Sequence, residues 1–243
     1  NMDILGPASS RKSVAVCPTS TSKGADACIV VGIDNVEQLR HHKVYGLSAS
    51  VSEYCFVRNL EELGEKEADH KFTAKGPAEA AVAMQIDPKT TQAIMVWNPF
   101  VLQTLKKVPD AKVLFDSSSI PGEIVDMVVV AEDSLKKPGG KEFAAAVLDT
   151  FYQVSGLIEA DGSREETLLM LAEKFAPELE VADMETVVEQ TAFYKTPTEG
   201  IELFQGQQLP ETMKKVVAFC VDHELITAAP SIGYGASGDA SLR

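Results

Sequence analysis

Long apolar runs are missing from these 243 residues. Uncharged apolar runs such as residues 127–131, 143–148 and 216–221 span five or six residues, against the ~20 residues a membrane-spanning helix requires. Positive charge is also scarce: 22 Lys+Arg stand against 36 Asp+Glu, a formal net charge of −14. A surface of that sign repels phosphate backbones and anionic headgroups, so neither nucleic acid nor a membrane surface is an expected partner. Cysteine is sparse and scattered. Cys17, Cys28, Cys55 and Cys220 form no C-x-x-C pair and lie far from histidines, so no metal site is expected. Cys55 and Cys220 fall on apolar faces of expected helices and read as buried thiols, while Cys17 and Cys28 are close enough in sequence to pair in an oxidising compartment. His41, His42, His70 and His223 show no ligand spacing, and no G-x-S-x-G elbow, P-loop or paired-carboxylate motif occurs. Residues 233–238 spell G-x-G-x-x-G without the preceding strand and following helix that a dinucleotide site needs, and a terminal loop explains them. Catalysis therefore has no visible carrier, and no cofactor is expected. The opening Asn1-Met2-Asp3-Ile4-Leu5-Gly6-Pro7 has neither a basic n-region nor an apolar h-region. The expectation is a cytosolic protein, or an exported one whose signal has been removed.

What is present suits a packed core: 45% of residues are hydrophobic and 24% charged. Strand-like and helix-like periodicities alternate. Residues 14–17 and 27–31 read as strands, with Ser/Thr-rich 18–23 as the loop between them. A short helix at 36–41 leads to a buried strand at 43–47. A helix is expected at 50–63, its start marked by a Ser50–Glu53 capping box and its end by Gly64. Strands at 71–74, 93–97 and 112–115 alternate with helices at 77–85 and 99–107. This βα alternation predicts a parallel sheet with helices on both faces. After the polar crossing 117–122 comes a strand at 126–131, then helices at 141–158, 163–175, 184–192, 197–205 and 210–223.

Two places carry chemistry. Ser48, Ser50 and Ser52 line a strand end that feeds a helix N-terminus, where backbone N–H groups and hydroxyls can cradle a small ligand. Plain helix capping by Ser50 and Glu53 accounts for the same residues. Trp97, the only tryptophan, stands where a strand ends, followed by Asn98 and a helix-starting Pro99. It reads either as core or as an aromatic lid offering stacking or cation–π contact.

At these residues the chain resembles a family. Val36-Glu37-Gln38-Leu39, Lys43-Val44-Tyr45, Ser50-Val51-Ser52-Glu53-Tyr54, Trp97-Asn98-Pro99, Val113-Leu114-Phe115-Asp116-Ser117 and Ile120-Pro121-Gly122-Glu123 occur in the order seen in nitrate/sulfonate/taurine-type substrate-binding proteins of ABC importers. Phe193-Tyr194-Lys195-Thr196, Leu203-Phe204-Gln205-Gly206 and His223-Glu224-Leu225-Ile226 continue that order. Within the family it is most similar to the branch associated with urea carboxylase.

The resemblance implies an α/β, bilobal periplasmic-binding-protein fold of type II, with two parallel or mixed sheets and a hinge cleft. Lobe two would be residues 29–115, and lobe one residues 1–28 with 116–243, the latter short of the family's first βα units. It further implies a monomeric, non-enzymatic, periplasmic or otherwise extracytoplasmic protein that captures a small solute between its lobes and delivers it to a membrane permease. Asp3, Glu53, Glu123 and Asp126 fall near the cleft-facing positions. Unpaired carboxylates there would disfavour an anion, which points to a nitrogen-containing solute such as urea, guanidinium or an amine. The expected ligand-binding residues are Ser48, Ser50, Ser52, Glu53, Trp97, Asn98, Glu123 and Asp3. A sulfonate, taurine or nitrate binder of the same family is the alternative. A pyrimidine-precursor synthase on the same scaffold would need a cysteine cluster that the sequence lacks, and a transcription-regulator effector domain would need a basic helix-turn-helix.

Overall fold

The computed structural model describes residues 12–234. In chain order its strands and helices are β1 (Ser13–Ser22), β2 (Asp26–Val31), α1 (Val36–Leu39), β3 (Lys43–Gly46), α2 (Val51–Glu62), β4 (Lys71–Ala74) and α3 (Pro77–Ile86). Then follow β5 (Ala93–Trp97), α4 (Phe100–Lys107), β6 (Ala111–Asp116), β7 (Val125–Ala131), α5 (Glu132–Leu135) and α6 (Gly140–Glu159). The last are α7 (Arg164–Phe175), α8 (Val181–Glu189), β8 (Thr191–Phe193), α9 (Pro197–Gln205) and α10 (Gln208–Asp222). They divide into two units. The first takes the chain up to Thr21, Val125–Leu171 and the chain from Phe193 onward; the second takes Ser22–Ile124 and Ala172–Ala192. The expected lobe two, 29–115, lies inside the second unit.

The second unit is built on a five-stranded sheet of order β4-β3-β5-β2-β6. Its central strands are near-continuous apolar runs, Ala93-Ile94-Met95-Val96 and Ala27-Cys28-Ile29-Val30, all buried, as strands covered on both faces require. On one face Ala27, Ile29, Ile94 and Val96 pack with Ala80, Ala81 and Met84 of α3 and Val101 of α4. On the other, Phe56 of α2 lies 5.2 Å from Phe72 and 6.0 Å from Phe115, ring centre to ring centre. Burying each large aliphatic side chain here contributes roughly 1.5–3 kcal/mol. Gly46 permits the tight centre of this sheet. A Cβ there would stand 2.6 Å from the Phe72 ring and 2.9 Å from the Met95 carbonyl oxygen.

The expected all-parallel sheet is corrected. β3 runs parallel to β4 and β5, but β2 is antiparallel to both β5 and β6. The sheet is mixed because β2 enters directly from β1 rather than through a helical crossover. Its short link to β3, carrying only the four-residue α1, suits a reversal of strand direction. All four helix-starting turns of this alternation still fall at one edge of the sheet. The carboxyl ends of β3, β4, β5 and β6 lead into α2, α3, α4 and a single 3₁₀ turn, Ser117–Ser119.

The first unit holds the antiparallel pair of β7 with β1 up to Thr21, and the helices α5, α6, α9 and α10, with most of α7. The expected loop at 18–23 proves to be strand: β1 continues to Ser22, antiparallel to β7 with two register shifts. Of the hydroxyl residues that made it read as a loop, Ser20 and Ser22 are buried, and Ser20 Oγ donates to Asp126 Oδ2 at 3.3 Å. The helix expected at 184–192 instead starts at Val181 and gives way to β8, whose Thr191 and Phe193 favour a strand. α9 begins as its sequence dictates. Thr196 Oγ1 accepts from Glu199 N, the Glu199 carboxylate accepts from Thr196 N, and Pro197 takes the first helical position. All four cysteines are free and buried, so Cys17 and Cys28 are not paired.

Candidate functional site

The carboxyl edge of the second unit's sheet gathers most of the expected ligand-binding residues. Ser48, Ala49 and Ser50 turn the chain from β3 into α2. Ser50 Oγ accepts from Ser52 N at 3.1 Å and donates to the Leu47 carbonyl at 2.5 Å. Glu53 does not close the expected capping box onto Ser50; its carboxylate accepts from Ala49 N at 2.5 Å. That bond holds Ala49 in the left-handed region, φ +56°, a conformation costing a non-glycine residue ~1–3 kcal/mol. Ser52, in the first turn of α2, is fully buried, and its Oγ has no hydrogen-bond partner.

Trp97 ends β5 and is only partly buried, with its ring edge-on to Phe100 at 6.2 Å. In register it stands opposite Asp26, which is buried at the start of β2. The next residue, Asn98, is 5% exposed. Its backbone N donates to the Ala25 carbonyl at 2.9 Å and its Nδ2 to Gln190 Oε1 at 2.7 Å, while its Oδ1 has no partner. The Asn98–Pro99 peptide is cis. Beside it, Gly24 N donates to Ser117 Oγ at 2.8 Å, and Ser117 Oγ shares a 2.7 Å hydrogen bond with Ser22 Oγ. Gly24 has φ +104°, and a Cβ there would touch the Gln190 side chain at 3.6 Å.

Glu123 is not the unpaired carboxylate that its place in the sequence suggested. It is buried, and it accepts from Arg58 Nε at 2.8 Å, Arg58 Nη2 at 3.0 Å and the Tyr54 hydroxyl at 2.9 Å. Arg58 also pairs with Glu61 and Glu62 along α2. The Glu123 hydrogen bonds hold the Arg58 guanidinium above even its ordinary range. Burial and the Glu123 charge push the Tyr54 phenol up. This arrangement ties the end of the second unit's first segment to α2. Asp126 sits on β7 of the first unit, with Ser20 as its donor. Asp3 lies outside the described residues, as does most of the 233–238 glycine pattern. Among the described residues, no group of three or more His, Cys, Asp and Glu could hold a metal ion.

Three participants went unread in the sequence. Asp26 stands just before the expected strand 27–31, and Ser117 opens the expected polar crossing 117–122. Gln190 follows α8, some 90 residues beyond Asn98. Periodicity marks none of them; the only available signal was their position at the termini of expected strands and helices.

No family model matches the sequence, and no curated protein matches it. Solved structures do match the fold. The periplasmic aliphatic sulphonate-binding protein SsuA of Escherichia coli superposes with TM-score 0.69 at 22% identity, over 93% of this chain and 69% of that one. The alkanesulfonate-binding protein SsuA of Xanthomonas axonopodis pv. citri, solved bound to MOPS, gives TM-score 0.65 at 18% identity, over 93% and 73% of the two chains. The ligand-binding component of an ABC-type import system of Staphylococcus aureus, solved with zinc bound, gives 0.69 at 13% identity, over 100% and 79%. The chain thus has the periplasmic-binding-protein fold, as expected. By name, these neighbours are binding proteins rather than enzymes.

Proposed function

We propose that the protein is the solute-binding component of an ABC import system, working outside the cytoplasm without catalysis and handing a small solute to a membrane permease. In this reading the solute sits at the carboxyl edge of the second unit's sheet. The observation that carries it is Ser52: a fully buried hydroxyl without a partner, in the first turn of a helix that opens at that edge. Burying such a group unpaired costs about 1–3 kcal/mol, a loss that a bound polar solute would recover.

Ser48, Ser50, Ser52, Trp97 and Asn98 are the proposed contacts, with Trp97 as a stacking surface. Glu53 and Glu123 act behind them, one holding the Ala49 turn and the other anchoring α2. The proposed solute is small and rich in nitrogen: urea, guanidinium or an amine. A sulfonate is the second reading, favoured by the names of two of the fold neighbours.

Isothermal titration against urea, guanidinium, taurine and nitrate separates the two readings. Saturable binding of urea or guanidinium is the expected result, and tight binding of taurine or nitrate alone would overturn it. Trp97→Ala should weaken binding and leave cooperative unfolding intact, whereas unchanged affinity would move Trp97 to the core.

A further inference from the structure

A primary amide has two ends of opposite hydrogen-bonding sense, and whichever end a fixed neighbour engages decides which end is left for a ligand. At Asn98 the neighbour is Gln190. Its Oε1 takes the Asn98 Nδ2 donor at 2.7 Å, so the Asn98 carbonyl oxygen is turned away from Gln190. That oxygen is buried and without a partner. Gln190 is held in place independently. Its carbonyl accepts from Lys23 N at 2.8 Å, its backbone N donates to the Thr186 carbonyl at 3.0 Å, and its Cγ packs beside Gly24, 3.6 Å from where a Cβ would stand. Asn98 is held too, by its backbone bond to Ala25. The Asn98 side chain is therefore fixed at both its root and its donor end, leaving one acceptor open.

We propose, resting on the solute-binding reading above, that Gln190 is a specificity-setting positioning residue. By engaging the Asn98 amide nitrogen it presents the Asn98 carbonyl oxygen to the solute, so the site selects solutes that offer N–H donors and rejects groups that only accept. A sulfonate oxygen brought to this point would face another acceptor and leave both unpaired. An amide, urea or amidinium N–H would complete the pair.

The test uses the whole chain with urea, guanidinium and methanesulfonate as probes and two variants. Gln190→Glu keeps an acceptor toward Asn98 and should preserve the preference of the wild-type protein, including its affinity for neutral urea. Gln190→Met removes the acceptor and frees the amide to turn. Its affinity for urea and guanidinium should fall about tenfold relative to methanesulfonate, the scale of one lost hydrogen bond. Thermal midpoints of both variants are measured alongside, because a purely structural role would shift stability without changing the ratio between probes. Equal loss of preference in both variants, or no change in either, overturns the inference. So does a wild-type preference for methanesulfonate, which would leave solute binding itself standing. Failure of all three probes to bind the wild-type chain would overturn the solute-binding reading and this inference with it.

Discussion

The two units invest their apolar residues differently. Of the largest side chains with essentially no exposure among the described residues, Tyr54, Phe56, Ile29, Ile33, Leu39, Leu60, Met84, Ile94, Met95 and Ile120 belong to the second unit, and Leu168 to the first. Both units also carry exposed apolar side chains, Ile86 of the second at 78% and Phe143 of the first at 70%. A five-stranded sheet clad by helices on both faces can sequester whole side chains. A smaller sheet with long amphipathic helices buries fewer of them completely. A binding site that depends on sub-ångström placement of polar atoms is better served by the first kind of core, and the candidate site is built on that unit.

The largest expected effect that would sharpen this contrast is at the buried ion pair. Arg58→Ala removes the cation that balances the buried Glu123 carboxylate, and should destabilise the second unit by about 3–5 kcal/mol in urea unfolding. A loss under 1 kcal/mol would mean that water reaches Glu123. Next, Ile94→Ala should cost about 2–5 kcal/mol, whereas Phe143→Ala in the first unit should stay within about 0.5 kcal/mol. Equal costs at these two positions would break the contrast between the units. Thr196→Ala, which removes the α9 cap in the first unit, should cost about 1 kcal/mol, with Thr196→Ser restoring most of it.

The smallest effect is a pH dependence. Hydrogen bonds from Arg40 and His70 hold the Glu65 carboxyl below its usual range. A depressed folded-state value means that this stabilisation is present above the unfolded carboxylate value of ~4.3 and disappears as pH falls through the folded one. Glu65→Gln should therefore lower the urea midpoint at pH 6 and leave it nearly unchanged at pH 2–3. A variant whose deficit persists at the lower pH would place the interaction outside the carboxylate's charge.

β5 was readable to the residue, because a short apolar run bounded by turn signals leaves few alternatives, and α9 was readable from its Thr-Pro-x-Glu start. The direction of β2 was not: periodicity fixes which residues are buried, and strand sense depends on the route of the connecting chain. The extension of β1 through Pro18–Ser22 was hidden because serine and threonine signal turns when isolated and strands when a neighbour accepts their hydroxyls. At the site, the serines and Asn98 stood out as strand-end polar residues. Glu123 looked unpaired because its partner Arg58 sits 65 positions earlier, on a helix face where arginine usually meets solvent. Gln190 had no local signature at all.

The second unit is also discontinuous. Residues 22–124 supply its whole five-stranded sheet, and Ala172–Ala192 returns only after the chain has built much of the first unit. During synthesis from the N-terminus, the sheet and its apolar faces are available long before Gln190 leaves the ribosome. The last act in maturing the candidate site is thus the arrival of the residue that orients Asn98, and a nascent chain paused before it would hold a nearly finished scaffold with an amide still free to turn.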